Sequence, residues 1–329
     1  MIISRAPVRI SFFGGGTDYP EHFVRHGGAV LATAIDKYSY VTASPFPSKL
    51  FDYVLRLSYR KNELVKDVTA IEHNVFRACL QLCGLERDLE LHTVADLPAF
   101  TGLGSSSAFT VSLLHALHAF KGEFITPLQL AYEAIHVERQ LLRECVGCQD
   151  QVVAAVGGFS LIEFRREDNI LVHRLPISPD RLREFESHLL VVFSGIKRSA
   201  AGPAAAQLEK LEENTSTLKH MRAMVDEGWD ILTSSQPIEK FGGLLHKAWL
   251  AKRSLGDGVT NAEINHMYDV GLCNGAMGGK LLGAGGGGFL LFFAPPEAHP
   301  GLASVFAKRQ VLSATINAPG SEIIFASPA

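Results

Sequence analysis

Three glycine-rich segments constrain this chain most, because each lies at the end of a stretch with the pattern of a β-strand. They are residues 14–16, 102–107 and 283–288. Glycine at such a place costs backbone entropy unless the chain needs a positive φ angle or a close approach to another group. Three such segments in one chain therefore predict loops that face a ligand.

The second segment joins a predicted strand, residues 88–95, to a predicted helix, residues 108–120, for which Gly122 is a natural stop. Unpaired N–H groups at a helix N-terminus attract phosphate, and serine hydroxyls can bond phosphate oxygens or ligate Mg²⁺. No Gly-Lys-Ser/Thr follows, so this is not a Walker A loop. The alternative is a serine N-cap after a flexible turn. The predicted phosphate-binding residues are Gly102, Leu103, Gly104, Ser105, Ser106 and Ser107.

The first segment ends a predicted strand over residues 7–14, and two further strands are predicted over residues 28–36 and 38–44. Its glycines would let the main chain approach a ligand closely, and Asp18 could accept hydrogen bonds from sugar hydroxyls. Taken alone, the segment would be an ordinary turn. The candidate ligand-binding residues here are Gly14, Gly15, Gly16, Thr17 and Asp18.

The third segment matches the dinucleotide pattern G-x-G-x-x-G at Gly283, Gly285 and Gly288. A strand-like run, residues 289–293, follows it, whereas a dinucleotide-binding loop opens a helix. The pattern therefore favours a glycine hairpin between two strands, with Gly285, Gly286 and Gly287 facing a ligand.

Two acidic residues are associated with the end of the second predicted helix, one inside it and one beyond it. That helix begins at Thr126 with a capping box and runs to about residue 142, so Glu138 lies late in it and Asp150 lies past it. A phosphotransferase needs a carboxylate near the acceptor hydroxyl and an oxygen ligand for Mg²⁺. Taken alone, either acid is a surface residue.

Composition excludes several classes. The chain has 329 residues, a net charge of −3 and 47% apolar residues, which is typical of a globular protein and unlike a nucleic-acid binder. Neither a signal peptide nor a membrane helix is expected, so the predicted location is cytoplasmic. Five cysteines, with one C-x-x-C at Cys145 and Cys148, predict no disulfide framework.

The remaining pattern predicts an α+β chain with a boundary near residues 195–204. The expected units are residues 1–200, which carry the phosphate-binding segment, and residues 201–329. Residues 204–255 are helical in composition, with breaks expected near Pro237 and at Gly242-Gly243.

In order and separation, these motifs resemble the GHMP kinase family, named for galactokinase, homoserine kinase, mevalonate kinase and phosphomevalonate kinase. The resemblance spans nearly the whole chain and is carried by residues 6–19, 102–108, 147–151 and 280–288. It implies a two-domain fold, with an N-terminal domain like the second domain of ribosomal protein S5 and a ferredoxin-like C-terminal domain. It also implies ATP and Mg²⁺ as cofactors and a sugar or sugar phosphate as substrate.

The resemblance further implies roles for individual residues. Asp150 would be the base or orienting carboxylate for the acceptor hydroxyl, and Arg9 would stabilise that carboxylate and the developing charge. Residues 102–107 would hold the triphosphate. Glu138 and one serine, Ser106 in preference to Ser107, would ligate Mg²⁺.

Within the family, residues 13–18 and 146–151 look most like kinases that phosphorylate the C1 hydroxyl of D-glycero-D-manno-heptose 7-phosphate. Galactokinases carry a glutamate where this chain has Gly15, which favours a longer or phosphorylated sugar tail. The candidates for binding a tail phosphate are His22, Arg25, Arg56 and Arg77, although the sequence favours a surface position for each of them.

Three alternatives stay open at this point. The chain could be a kinase of fucose, mannose or galactose. It could be an NAD-dependent oxidoreductase that uses Gly283 to Gly288, or a catalytically silent binding regulator, although a regulator would not need Arg9, Glu138 and Asp150 together. The exact sugar, the anomer and the oligomeric state do not follow from the sequence.

Overall fold

A computed structural model describes residues 1–99, 101–197 and 201–327 of the chain. Its strands, numbered β1 to β12 in chain order, are Ile2–Phe13, Gly28–Pro45, Leu55–Ser58, Asn62–Val65, Leu89–Ala95, Phe159–Arg166, Asn169–Arg174, Leu189–Phe193, Gly278–Leu281, Phe289–Phe293, Val311–Leu312 and Glu322–Ala326. Its α-helices, numbered α1 to α11, are Pro20–His26, Asn74–Cys83, Ser105–Lys121, Pro127–Ile135, Gln149–Val156, Pro179–Ser187, Ala201–Glu209, Thr215–Thr233, Glu239–Arg253, Ala262–Cys273 and His299–Val305.

The larger sheet has eight strands and is organised around β2. Its main path is β12-β1-β2-β5-β3-β4, and β6 and β7 branch from β2. The first half of β2 pairs with β6 and its second half pairs with β5, so one continuous strand serves where the sequence predicted two. Helices α3 and α5 pack on β1 and β2. This packing brings the starts of both helices to one region of the sheet.

The smaller sheet has four antiparallel strands in the order β11-β8-β10-β9, and α9 packs on it. A cluster of aromatic rings joins the two sheets. Phe12 of β1 contacts Phe185 and Phe241, and these two rings both contact Phe293 of β10. Buried aromatic side chains carry large apolar surfaces, so this cluster ties the two layers into one core.

The two sheets exchange strands across the expected domain boundary. Strand β8, residues 189–193, belongs to the smaller sheet, and β12, residues 322–326, pairs with β1 in the larger one. The last strand, β12, thus lies in the same sheet as the first strand, β1. The division of the chain at residue 200 therefore stays a proposal about folding units.

Several local predictions are confirmed. Thr126 and Gln129 form the capping box of α4, and Gly122 ends α3 in a left-handed conformation. Strands β9 and β10 pair across the third glycine segment as a hairpin, so a strand and no helix follows those glycines. Among the described residues, no helix is long and apolar enough to cross a membrane.

One helix was not predicted from the sequence, and one local prediction is wrong. Asp150 lies past α4, as predicted, in the first turn of the unpredicted helix α5. Gly242 and Gly243 lie inside α9 without breaking it, although a break does occur before α9, near Pro237. A methyl group at Gly242 would come within 2.7 Å of the Met277 Cβ, so this glycine permits close packing.

Candidate active site

A buried ion pair forms the centre of the site. Arg9 of β1 is only 4% exposed. Its Nε donates to Oδ1 of Asp150 at 2.8 Å, and its Nη2 donates to Oδ2 at 2.8 Å. Its Nη1 donates to the carbonyl oxygen of Gly102 at 2.8 Å. This two-point geometry fixes the Asp150 carboxylate and ties it to the phosphate-binding segment predicted from the sequence.

The start of α3 lies against this ion pair. Gly102 and Gly104 both have positive φ angles, 81° and 78°. A methyl group at Gly104 would lie 3.1 Å from Oδ2 of Asp150. The first N–H groups of a helix have no partner within the helix. A side chain at Gly104 would crowd the Asp150 carboxylate, which lies beside these N–H groups of α3. The segment thus brings the start of α3, which the sequence predicts to bind phosphate, next to Asp150.

Asp18 is the second carboxylate at the centre, and it is 1% exposed. Its Oδ1 accepts from the Gly16 N–H at 3.0 Å, and its Oδ2 accepts from the Gln149 N–H at 3.3 Å. Burial raises the pKa of Asp18, and the nearby Asp150 charge raises it further. A methyl group at Gly147 would lie 2.0 Å from Oδ2 of Asp18, so glycine is required there. The first glycine segment and the start of α5 are therefore packed directly together.

Glu138 lies in a π-helical turn, His136–Leu141, that continues α4. It is 1% exposed and accepts hydrogen bonds from Ser107 Oγ at 2.9 Å, Thr110 Oγ1 at 2.8 Å and Gln151 Nε2 at 2.5 Å. Burial raises its pKa to about 7, against the effect of these donors. The carboxylate therefore has donors around it but no cation among its described partners.

The two serines considered as metal ligands occupy different places. Ser107 bonds Glu138, whereas the side chain of Ser106 is exposed in the first turn of α3. Ser106 was predicted in preference to Ser107 as the Mg²⁺ ligand beside Glu138, and that role stays a prediction, although Ser107 is the serine that bonds Glu138. Neighbouring residues on a helix point about 100° apart, so only one of the two can face Glu138.

The backbone of the third glycine segment packs directly against the backbone of the second one. A methyl group at Gly283 would lie 2.6 Å from the Cα of Gly102, and one at Gly288 would lie 2.4 Å from the carbonyl oxygen of Thr101. The N–H of Phe289 also donates to the Thr101 carbonyl at 3.2 Å. These close backbone contacts explain two of the glycines without a ligand.

The remaining glycines of this hairpin contact other loops. Gly286 donates its N–H to the carbonyl of Val259, and a methyl group at Gly287 would lie 2.7 Å from the carbonyl oxygen of Ile196. A methyl group at Gly285 would lie 2.7 Å from the Cα of Val259. A role for Gly285, Gly286 and Gly287 in substrate binding stays a prediction.

Two buried lysines lie near Arg9 and Asp18, and neither was predicted as a site residue from the sequence. Lys280 Nζ donates to the carbonyls of Ser11 and Phe12 at 2.9 and 2.8 Å. Lys252 Nζ donates to the carbonyl of Leu281 at 3.0 Å and to that of Gly283. Burial lowers the pKa of Lys252 to about 7, and the charge of Arg9 lowers it further. Lys280 could have been singled out from the sequence, because it is the charged residue of the otherwise apolar strand β9.

The four candidates for a tail phosphate have partners elsewhere. Arg25 pairs with Glu212, Arg56 pairs with Glu90, and Arg77 donates to the carbonyl of Ile71. His22 is buried in α1, and burial lowers its pKa to about 4. Their described contacts do not bring any of them to Asp18 or Asp150.

Known proteins are similar to this chain over part or nearly all of its length. Residues 53–158 match the family model described as the GHMP kinases N terminal domain. A D-glycero-alpha-D-manno-heptose 7-phosphate kinase from Campylobacter jejuni is 28% identical over 325 residues, which cover 94% of each chain. An L-fucokinase/L-fucose-1-P guanylyltransferase from Bacteroides fragilis is 27% identical over 91% of this chain, but over only 35% of its own length.

Solved structures show the same fold. A D-glycero-D-manno-heptose 1-phosphate kinase from Bacteroides thetaiotaomicron superposes with a TM-score of 0.79 at 22% identity, over 99% of this chain and 100% of that one. A Lactococcus lactis galactokinase superposes with a TM-score of 0.76 at 17% identity, over 98% and 95%. The α+β GHMP kinase fold expected from the sequence is confirmed. The chain therefore has the fold of the GHMP kinases and matches their N-terminal domain over residues 53–158, and it is a phosphotransferase that takes an alcohol group as its acceptor.

Proposed function

We propose that this protein transfers the γ-phosphoryl group of ATP to the C1 hydroxyl of D-glycero-D-manno-heptose 7-phosphate, in the cytoplasm. The observation that carries the proposal is the Arg9–Asp150 pair at the start of α3, which puts a fixed carboxylate beside a phosphate-binding helix end. The whole-length relative from Campylobacter jejuni, named as a heptose 7-phosphate kinase, supports the choice of sugar.

In the proposed reaction, Asp150 orients the acceptor hydroxyl and accepts its proton. The acceptor oxygen forms a bond to the γ-phosphorus as the bond from that phosphorus to the bridging oxygen breaks, and ADP leaves. Arg9 holds the carboxylate by two hydrogen bonds and places a positive charge beside the reacting groups. Asp18 binds hydroxyls of the sugar, and residues 102–107 hold the triphosphate.

The residues present suit Mg²⁺. The described chain has no cluster of three or more His, Cys, Asp or Glu side chains for a metal. Mg²⁺ is, however, commonly bound by one or two carboxylates together with substrate phosphates and water. Glu138, a buried carboxylate without a cationic partner among its described contacts, would hold the ion with a serine hydroxyl from Ser106 or Ser107. When bound, Mg²⁺ would neutralise phosphate charge.

A kinase of free fucose is the second candidate, because the fucokinase relative matches 91% of this chain. An ADP-release assay against heptose 7-phosphate, fucose, mannose and galactose separates the two. We expect the highest kcat/KM for heptose 7-phosphate. A higher value for a free sugar would overturn the substrate assignment and leave the kinase assignment intact.

Replacing Gly15 with glutamate is expected to change substrate choice more than turnover. Two like charges 4 Å apart cost about 1 kcal/mol in water and about 4 kcal/mol at an intermediate effective dielectric. Since each 1.4 kcal/mol is roughly tenfold, kcat/KM for a 7-phosphorylated sugar should fall about tenfold or more. The measurement is the ratio of kcat/KM for heptose 7-phosphate to that for mannose, in the wild type and the variant.

Gly15→Gln is the matched control, because it adds nearly the same bulk without the charge. It should lower the ratio less than Gly15→Glu does. If a folded Gly15→Glu variant keeps the wild-type ratio, the tail of the sugar lies elsewhere, and Gly15 does not select a phosphorylated heptose.

A further inference from the structure

The three glycines of the first segment are under different structural constraints. Gly14 and Gly16 have positive φ angles, 81° and 101°. A methyl group at Gly14 would lie 1.9 Å from the carbonyl oxygen of Ala29, and one at Gly16 would lie 3.1 Å from Cδ2 of Leu218. Gly15 has neither constraint, because a methyl group there would meet its nearest atoms at 3.7 and 3.9 Å, which is ordinary van der Waals contact. Neither its backbone nor its packing therefore explains why residue 15 is glycine.

The two atoms nearest to that missing methyl group belong to polar side chains, Gln149 Nε2 at 3.7 Å and Ser11 Oγ at 3.9 Å. Ser11 is 6% exposed, and its Oγ has no hydrogen-bond partner among the described residues. The Oε1 atom of Gln149 is also buried and also lacks a partner there. A buried polar group without a partner is destabilising, so such a group is expected to have another use.

The position of this pair connects it to the reacting groups. Ser11 is two residues from Arg9 on β1, in regular pairing with β2, so both side chains lie on one face of the strand. Gln149 precedes Asp150 on α5, and its N–H donates to Oδ2 of Asp18. The two unpartnered side chains therefore belong to the elements that carry Arg9 and Asp150, one or two residues away from these groups in the chain.

We infer that the Ser11 hydroxyl and the Gln149 amide bind one hydroxyl group of the acceptor sugar, in the space that Gly15 leaves open. This inference rests on the proposed sugar kinase function. A hydroxyl is both a donor and an acceptor, as are Ser11 and the Gln149 amide, so one sugar hydroxyl can bond both side chains. A site that hydrogen-bonds a substrate hydroxyl rejects analogues without it, because its own buried polar groups then stay unpaired.

The test uses Ser11→Ala and Gln149→Met, with Ser160→Ala as the matched control. Ser160 is also buried, and its Oγ also lacks a partner among the described residues. Ser11 of β1 and Ser160 of β6 both pair with Ala32 of β2, so the two serines lie on opposite sides of β2, two strands apart. The acceptor KM should rise roughly three- to tenfold in both test variants, as expected for one lost hydrogen bond, while the KM for ATP stays unchanged. The Ser160→Ala control should keep the wild-type KM for the acceptor and the wild-type KM for ATP.

Two further measurements separate binding from a structural role. Because the Ser11 hydroxyl has no protein partner, Ser11→Ala should not lower the melting temperature. In a series of monodeoxy acceptors, one member should bind the wild type poorly and be insensitive to Ser11→Ala.

An unchanged acceptor KM in both variants would overturn the inference, as would an equal loss on every deoxy acceptor. A lowered melting temperature without a change in KM would also overturn it. A wild type that phosphorylates none of the sugars would overturn the proposed function, and this inference with it. An active wild type with unaffected variants would overturn the inference alone.

Discussion

Replacing Asp150 with asparagine is expected to lower kcat by at least about a hundredfold, the low end for the loss of a positioned acid–base group. The KM for ATP should stay near its wild-type value, because the proposed phosphate contacts come from residues 102–107. Asparagine keeps the size of the side chain but turns an N–H group toward the guanidinium of Arg9, where the carboxylate now accepts two hydrogen bonds at 2.8 Å. The variant thus loses both the proton acceptor and its fixed orientation.

Asp226→Asn is the matched control for this measurement. Asp226 forms an exposed pair with Arg222 on α8, and surface pairs of this kind contribute little. Its kcat should be that of the wild type. Adding Arg9→Lys to Asp150→Asn should cost much less than Arg9→Lys costs alone, because residues that act as a unit are not additive. An unchanged kcat in Asp150→Asn would remove Asp150 from the mechanism.

Replacing Glu138 with glutamine is expected to raise the Mg²⁺ concentration that gives half-maximal rate by at least about tenfold, as losses around metal sites commonly do. The negative charge proposed to ligate the ion would be lost while the size of the side chain stayed the same. The carboxylate now accepts from Ser107, Thr110 and Gln151, and an amide cannot accept from all three. The measurement is the rate as a function of free Mg²⁺ at saturating ATP.

Glu133→Gln serves as the control, since Glu133 lies five residues earlier on α4 and bonds His118 instead. Ser106→Ala and Ser107→Ala then identify the serine, because only the one that ligates the ion directly should shift the Mg²⁺ requirement as Glu138→Gln does. A half-maximal concentration that does not move in Glu138→Gln would make Glu138 a structural residue.

The sequence predicted those parts of the fold that local chemistry determines. The capping box at Thr126 and the end of α3 at Gly122 depend on a few neighbouring residues, and both are confirmed. The hairpin nature of the third glycine segment followed from the apolar run after it. In each case, the interaction that decides the structure is close in sequence.

Predictions failed where distant packing decides the structure. The break expected at Gly242 does not occur, because the glycine packs against Met277 and Phe293 from the smaller sheet. The helix that carries Asp150 was missed because its first residue, Gln149, is held by contact with Asp18, which is 131 positions earlier in the chain. No local pattern encodes such contacts.

The candidate site was foreseen in part. The glycine segments and the pair of Arg9 and Asp150 follow from motifs, and the structure brings them together. The choice between Ser106 and Ser107 depends on the rotation of α3 relative to Glu138, which only the packing of α4 on α3 defines. Lys252 is a helix residue of ordinary appearance, and only the fold reveals that its amine is buried against Gly283.

Phosphorus NMR of a reaction that contains the protein, ATP, Mg²⁺ and D-glycero-D-manno-heptose 7-phosphate tests the proposed activity most directly. We expect one ADP for each heptose consumed and a new phosphate resonance coupled to the proton on C1, with both absent in Asp150→Asn. ADP release without a sugar bisphosphate, or a phosphate on any other hydroxyl, would contradict the proposal that this protein is a C1 kinase of a heptose phosphate.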